Sequence, residues 1–149
     1  MVEYSSQLHE ECLPFLDKKE ATVLLTGMER VEVQGGTPLF SVNDPADCMY
    51  ILISGRIAVQ KQTGFGDRMQ VVALLDSGAP LGESGLLADR SRGATLTAIV
   101  DSSLLVLSRQ AFSEICTISP SLAVKIFTWL MGILALRLQK SSERLAHVL

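Results

Sequence analysis

The sequence is short of the residues that metal and thiol chemistry need. His9 and His147 are its only histidines and lie near the two ends, so a histidine-centred active site would need distant ends to meet. Cys12, Cys48 and Cys116 are widely separated and odd in number, and none belongs to a CxxC or Cys/His pair with metal-ligand spacing. Free, buried thiols in a reducing cytoplasm are the expected state. No Ser/His/Asp or Cys/His set, no carboxylate cluster with metal geometry and no Walker-type phosphate loop is present, so no enzymatic activity, metal or cofactor is expected. Positive charge is also scarce. Thirteen Lys and Arg against 16 Asp and Glu leave a net charge of −3, which excludes a broadly basic nucleic-acid surface. One anionic ligand held by one or two arginines needs only local charge and stays possible. The opening Met1-Val2-Glu3-Tyr4, with Glu10 and Glu11 soon after, lacks the basic and apolar regions of a signal peptide. The longest apolar run, 126–136, is broken only by Thr128 and Gly132 and closed by Lys125 and Arg137. It falls short of the ~18–20 residues that span a bilayer. A buried helix of a soluble protein, with no membrane partner, is the expectation.

What is present suits one domain over residues 1–149, because 48% apolar residues can build a core without staples. Residues 13–28 suggest a helical lead-in, with Leu16, Leu24 and Leu25 on one face and Asp17 as start cap. Short β-rich runs follow at 30–33, 37–40, 49–54, 55–62, 69–75, 94–100 and 103–108. Turn residues separate them: Gly35-Gly36, Asn43-Asp44-Pro45, Gly64, Gly66-Asp67, Asp76-Ser77-Gly78 and Asp101-Ser102. Many short strands at close spacing predict an antiparallel barrel or sandwich.

The last third is helical. Ser108 is placed to cap a helix over 109–115, and Ser119 followed by Pro120 starts a second that runs to the last residue. The second is ~45 Å long if unbroken. It carries two apolar stripes. Leu122, Ile126, Leu130 and Ile133 form one, which then stops. Phe127, Met131, Leu134, Leu138, Ser141, Leu145 and Val148 form the other, with steps of four and three residues, a heptad seam with one polar member. The first stripe is expected against the barrel (up to about residue 118) and the seam against a second copy of helix 119–149, giving a homodimer. The alternative is one helix folded wholly onto its own barrel.

Residues 78–98 carry the chemistry. A Gly-rich turn places Gly82 and Gly85 around Glu83, ahead of Leu86-Leu87-Ala88, and Arg92 precedes the next strand. Glycines let a ligand approach the backbone, and free N–H groups at a helix start suit an anion. A guanidinium fork holds two phosphate oxygens, while Glu83 can accept hydrogen bonds from sugar hydroxyls. Taken alone, these residues also fit a surface turn in which Glu83 pairs with Arg90 or Arg92.

Leu81-Gly82-Glu83-Ser84-Gly85-Leu86-Leu87 and Arg92-Gly93-Ala94-Thr95 together resemble the phosphate-binding cassette of cyclic-nucleotide-binding domains of the catabolite activator type. Gly36-Thr37-Pro38-Leu39-Phe40, Asp44-Pro45-Ala46-Asp47 and the run from Tyr50 to Val59 are similar to the same family's earlier strands, with Asn43 where it usually has Gly at positive φ. The resemblance implies a jelly-roll barrel with β and α elements, a short N-terminal helix and a long C-terminal dimerisation helix. It implies that Arg92 pairs with a cyclic phosphate, that Glu83 takes the ribose 2′-hydroxyl, and that Gly82 lies against the ribose. Amides of Gly85 and Ala94, with Ser84 and Gly93 beside them, would complete the ligand site. Ser91 replaces the usual proline before the arginine, which loosens the loop. Gly93 lacks the hydroxyl that meets guanine, which favours cAMP over cGMP. Ser141 and Ser142 fill the places where hydroxyls of two subunits meet adenine. A helix-turn-helix follows the dimer helix in such activators. Residues 119–149 leave no recognition helix or basic stripe, so no nucleic-acid binding is expected of them. The function implied is a cyclic-nucleotide sensor with an unknown downstream partner. Its rivals are a dimeric interaction domain that has lost the ligand and the sensor part of a longer transcription regulator.

Overall fold

The computed structural model describes residues 2–149 except 65 and 67, with side chains from residue 6 onward, so the turn residue Asp67 lies outside the described residues. Its helices are α1 (Val2–Cys12), α2 (Lys18–Thr26), α3 (Arg109–Ile118) and α4 (Pro120–Val148). Its strands are β1 (Glu29–Val33), β2 (Pro38–Phe40), β3 (Pro45–Ala46), β4 (Cys48–Ser54), β5 (Ile57–Gln62), β6 (Met69–Leu75), β7 (Pro80–Leu81), β8 (Arg90–Ser91), β9 (Thr95–Ala98) and β10 (Ser102–Ser108). One sheet runs β1-β10-β4-β7, a second runs β2-β9-β5-β6, and β3 pairs with β8; all neighbours are antiparallel. The strands form the expected jelly-roll core, but as separate sheets, so the barrel is not closed.

The alternation of strand side chains sets the two cores. Met49 and Ile51 of β4, with Leu105 and Leu107 of β10, face the helices. Leu52 of β4 and Leu104 of β10 face the other way and pack with Ile57, Leu81, Leu96 and Ala98 between the sheets. Both faces of β4 and β10 are thus covered, which explains their near-continuous apolar runs. The helical core adds Leu13, Leu16, Leu24, Phe112, Ile115, Leu122, Ile126 and Leu130.

Local signals place the helix starts. Asp17 closes a capping box on α2: its carboxylate accepts from the Glu20 N–H at 2.8 Å, and Glu20 accepts from the Asp17 N–H at 3.0 Å. The Ser108 hydroxyl accepts from the Ala111 N–H at 3.0 Å and caps α3. Ser119 differs from expectation, because its side chain makes no cap hydrogen bond. Pro120 alone supplies the preset φ of a first helical residue. The sequence also hides α1, whose buried Leu8 and Cys12 give too few apolar positions for a clear helical period.

α4 is covered on one side only. Leu122, Ile126 and Leu130 of the shorter stripe are buried, with Ala123 beside them, whereas its last member, Ile133, is only half-buried. The seam is not covered within the chain: Met131 is 72% exposed, Leu138 68% and Val148 82%. By length and composition α4 is a candidate membrane span, with only 22% of its most apolar part buried. The alternative of a helix folded wholly onto its own barrel is therefore not what the chain adopts, and the expected buried run 126–136 is buried on one face only.

Candidate functional site

β7 pairs with β4 through Leu81 opposite Tyr50 and then ends at Gly82, whose φ of 65° lies in the left-handed region. A Cβ there would sit 2.8 Å from Nη1 of Arg92 and 3.2 Å from the Phe40 ring. Glycine thus serves both the turn and the close approach. A single 3-10 turn follows over Glu83–Leu86. Leu86 anchors it in the helical core, and Gly85 lies so close to the Cys48 backbone that any Cβ would fall within 2.7 Å of the Cys48 nitrogen. The Arg109 guanidinium fastens the same turn from α3, donating to the carbonyls of Ala46 at 2.6 Å and Gly85 at 3.3 Å. On the far side, the Arg92 N–H donates to the Asp44 carbonyl, and the Arg92 carbonyl accepts from the Asn43 N–H, both at 2.8 Å. Asn43 has φ 74°, the conformation expected where the family usually has glycine.

These contacts aim Arg92 inward. The residue is 3% exposed. Its Nη1 donates to the Gly82 carbonyl and its Nη2 to the Cys48 carbonyl, each at 2.8 Å. The guanidinium lies 4.1 Å above the centre of the Phe40 ring and 5.9 Å from that of Tyr50. Burial, reinforced by the Cys48 side chain, pushes the Tyr50 hydroxyl pKa well above its ordinary value. Among the described residues no carboxylate pairs with Arg92, and its buried Nε has no hydrogen-bond partner. A buried charge without a counter-ion is costly, even with carbonyls and ring faces in partial compensation.

A cavity of about 950 Å³ opens beside it. Of the anticipated site residues, Gly82, Glu83, Ser84, Arg92, Gly93, Ala94 and Ser141 line it together. Gly85 and Ser142 do not. The Gly85 N–H donates to the Gly82 carbonyl at 3.0 Å. Ser142 sits on the exposed surface of α4, one helical step of ~100° from Ser141. Glu83 pairs with neither Arg90 nor Arg92. Its carboxylate is 3.7 Å from Nη1 of Arg137 on α4, and Nη2 of Arg137 donates to the Pro80 carbonyl at 2.6 Å.

Arg137 is thus a site residue that the cassette pattern does not reveal. Arg137, Ser141 and Arg144 share one helix face by their i, i+4, i+7 spacing, but Gln139, Lys140, Ser142 and Glu143 are polar as well, so the pattern did not single them out. Phe40, Tyr50 and Lys61 reach the site through strand pairing between distant segments, which leaves no local signature.

A buried guanidinium beside a left-handed glycine, facing a cavity that also holds a carboxylate, has the chemistry suited to an anion attached to a hydroxyl-bearing group. Residues 30–119, more than half of the chain, match the cyclic nucleotide-binding domain family. The chain belongs to that family. It is 36% identical over 106 residues to a cAMP-dependent protein kinase regulatory subunit of Dictyostelium discoideum, a match covering 70% of this chain and 32% of that subunit. Among solved structures, the catabolite activator protein of Thermus thermophilus superposes with a TM-score of 0.74 at 28% identity, covering 89% of this chain and 60% of that one. A cyclic nucleotide-binding domain from Methylobacillus flagellatus superposes with a TM-score of 0.86 over 94% of this chain and 83% of that one; at 23% identity it supports the fold.

Proposed function

We propose that this regulatory domain senses cAMP, with Arg92 neutralising the cyclic phosphate and Glu83 accepting a hydrogen bond from the ribose 2′-hydroxyl. The observation that carries this reading is the buried Arg92 guanidinium, without a carboxylate partner among the described residues, at the wall of the cavity. An anion there would supply the missing counter-charge through a charge-assisted contact. Gly93 offers no hydroxyl to a guanine, and Ser141 faces the cavity from α4 at a place suited to a base. Gly85 and Ala94 would offer amides to the phosphate, the former after releasing the Gly82 carbonyl. Ser142 would contact the base bound in a second copy, the two copies joining along the exposed seam of α4. The signal would pass as a shift between two packings of α4 on the barrel.

Calorimetric titration with cAMP and cGMP tests the reading. Truncating a buried charged contact costs about 2–5 kcal/mol, so Arg92→Ala should weaken cAMP binding roughly 30-fold to several thousand-fold. A variant that still melts cooperatively and binds cAMP as the wild type does would overturn the mechanism.

A second reading has one observation in its favour. Arg137 already holds Glu83, and carbonyls already hold Arg92, so the site closes upon itself. A domain that has lost its ligand and acts by dimerisation would look the same. Thermal melting separates the two. A ligand at 100 times its Kd adds ≈ 2.7 kcal/mol, whereas this second reading expects no shift with any cyclic nucleotide.

A further inference from the structure

The barrel is open on the side where β1 and β2 end their sheets. Among the described residues β1 pairs with β10 and with no other strand, and β2 with β9 and with no other. Successive residues of an antiparallel strand turn their N–H and C=O groups to alternate edges, so about half of those on β1 face away from β10. A row of such groups is a template for one more strand. β2 is the poorer template, because Pro38 lacks an N–H. β1 reads Glu-Arg-Val-Glu-Val and contains neither proline nor glycine.

A groove of about 570 Å³ lies between the two strands. Its floor is apolar. Val31, Val33, Leu39, Tyr50 and Val106 are half-buried there, and the first four pack on the core between the sheets. Gln34 and Thr37 line the end beside the turn, and Glu29 lines the other end. By the period of two, Glu29 belongs to the same row of β1 as Val31 and Val33. Among the described residues no cation lies within ion-pair distance of it. The other carboxylate of the lining, Glu32, belongs to the opposite row and is already held by Arg30 at 2.8 Å and by the Ser103 hydroxyl. No Lys or Arg is among the described residues that line the groove.

An open strand edge, an apolar row and one unpaired carboxylate at the end of that row specify the occupant. Antiparallel pairing is the slightly more stable arrangement. A segment laid antiparallel on β1 meets Val33 first, Val31 two residues later and Glu29 two residues after that. Its side chains should therefore be apolar, any, apolar, any, then Lys or Arg, over about 17 Å of extended chain. A second copy of β1 does not meet this requirement, because its one cation, Arg30, is taken by Glu32.

We propose that the β1 edge is a docking groove for an extended segment of a partner protein, which adds a strand to the open barrel and carries two alternating apolar side chains followed by a Lys or Arg. Main-chain hydrogen bonds supply the affinity, and Glu29 selects the charge. The groove and the Arg92 cavity share no lining residue, so the inference stands whether or not a nucleotide binds.

The test titrates the isotope-labelled full chain by NMR with the capped peptide Ser-Val-Ser-Val-Ser-Lys-Ser, and with the same peptide carrying Glu in place of Lys. The Lys peptide should give saturable shifts centred on the amides of residues 29–39 and bind at least ten-fold more tightly than the Glu peptide. Glu29→Gln, whose folding is checked by thermal melting, should cut that preference below three-fold. Four results would overturn the groove: no saturable binding of the Lys peptide up to about 5 mM, equal binding of the two peptides, a preference that Glu29→Gln leaves intact, or shifts centred outside residues 29–39. Shifts of the same amides on raising the protein concentration alone would place a second copy in the groove and overturn the proposed occupant.

Discussion

At the residue scale, the site depends on two close approaches of backbone to side chain. Gly82 leaves room for the Arg92 guanidinium, and Gly85 leaves room for Cys48. The second can be tested without touching the ligand. Gly85→Ala would drive a Cβ into the Cys48 backbone, which cannot yield as a flexible side chain can. Overpacking of this kind costs about 1–3 kcal/mol, and at backbone the upper end or more is expected. Urea denaturation should therefore show a lower midpoint at unchanged slope. The same substitution at Gly93, which has open space around it, should shift the midpoint far less. Legibility divides along the same line. Gly82, Glu83 and Arg92 were visible in sequence because they are close together in the chain and share one backbone device. The Glu83–Arg137 pair was not, because 54 residues separate its members and no local rule predicts which basic residue of a helix will meet a carboxylate.

At the element scale, the caps of α2 and α3 were legible, whereas the Ser119 cap of α4 and the surroundings of that helix were not. The Asp17 cap could be read from sequence, its capping box with Glu20 came with the structure, and it adds a pH dependence. The backbone N–H of Glu20 holds the Asp17 carboxyl below its ordinary range, and the Ser103 hydroxyl, followed by Arg30, does the same for Glu32. A carboxylate whose pKa is lower when folded stabilises in full above its unfolded value, near 3.9 for Asp, and loses that contribution as pH falls through the folded value. Asp17→Asn keeps a capping oxygen without the charge. The Tm advantage of the wild type over this variant should therefore shrink between pH 6 and pH 3; a constant difference would remove the assignment. α4 shows what patterning leaves open. Its stripes predicted which residues could be buried, and the barrel covers only Leu122, Ala123, Ile126 and Leu130. Leu130→Ala should cost about 2–5 kcal/mol as a core truncation. Leu138→Ala, at an exposed position, should change monomer stability by less than about 0.5 kcal/mol. In sedimentation equilibrium it should nonetheless weaken self-association, if the seam joins two copies as proposed.

At the scale of the whole molecule, the number and close spacing of short strands were enough to predict an antiparallel barrel or sandwich; that Met49 and Leu105 face one core and Leu52 and Leu104 the other was hidden by the near-continuous apolar runs of β4 and β10. The order of strands and the open barrel were not legible either, since β1 pairs with β10 across most of the chain and nothing local encodes that choice. The way the long helix is held has a mechanical consequence. Leu130 is its last buried residue, a fulcrum, and Val148 lies about 27 Å further on. Beyond the fulcrum, Arg137 and Arg144 moor this arm to backbone carbonyls of the barrel. A tilt of about 10° at Leu130 would sweep Val148 through about 5 Å, close to one helical pitch. A sub-ångström adjustment beside the fulcrum therefore becomes a displacement several times larger at the far end of the lever.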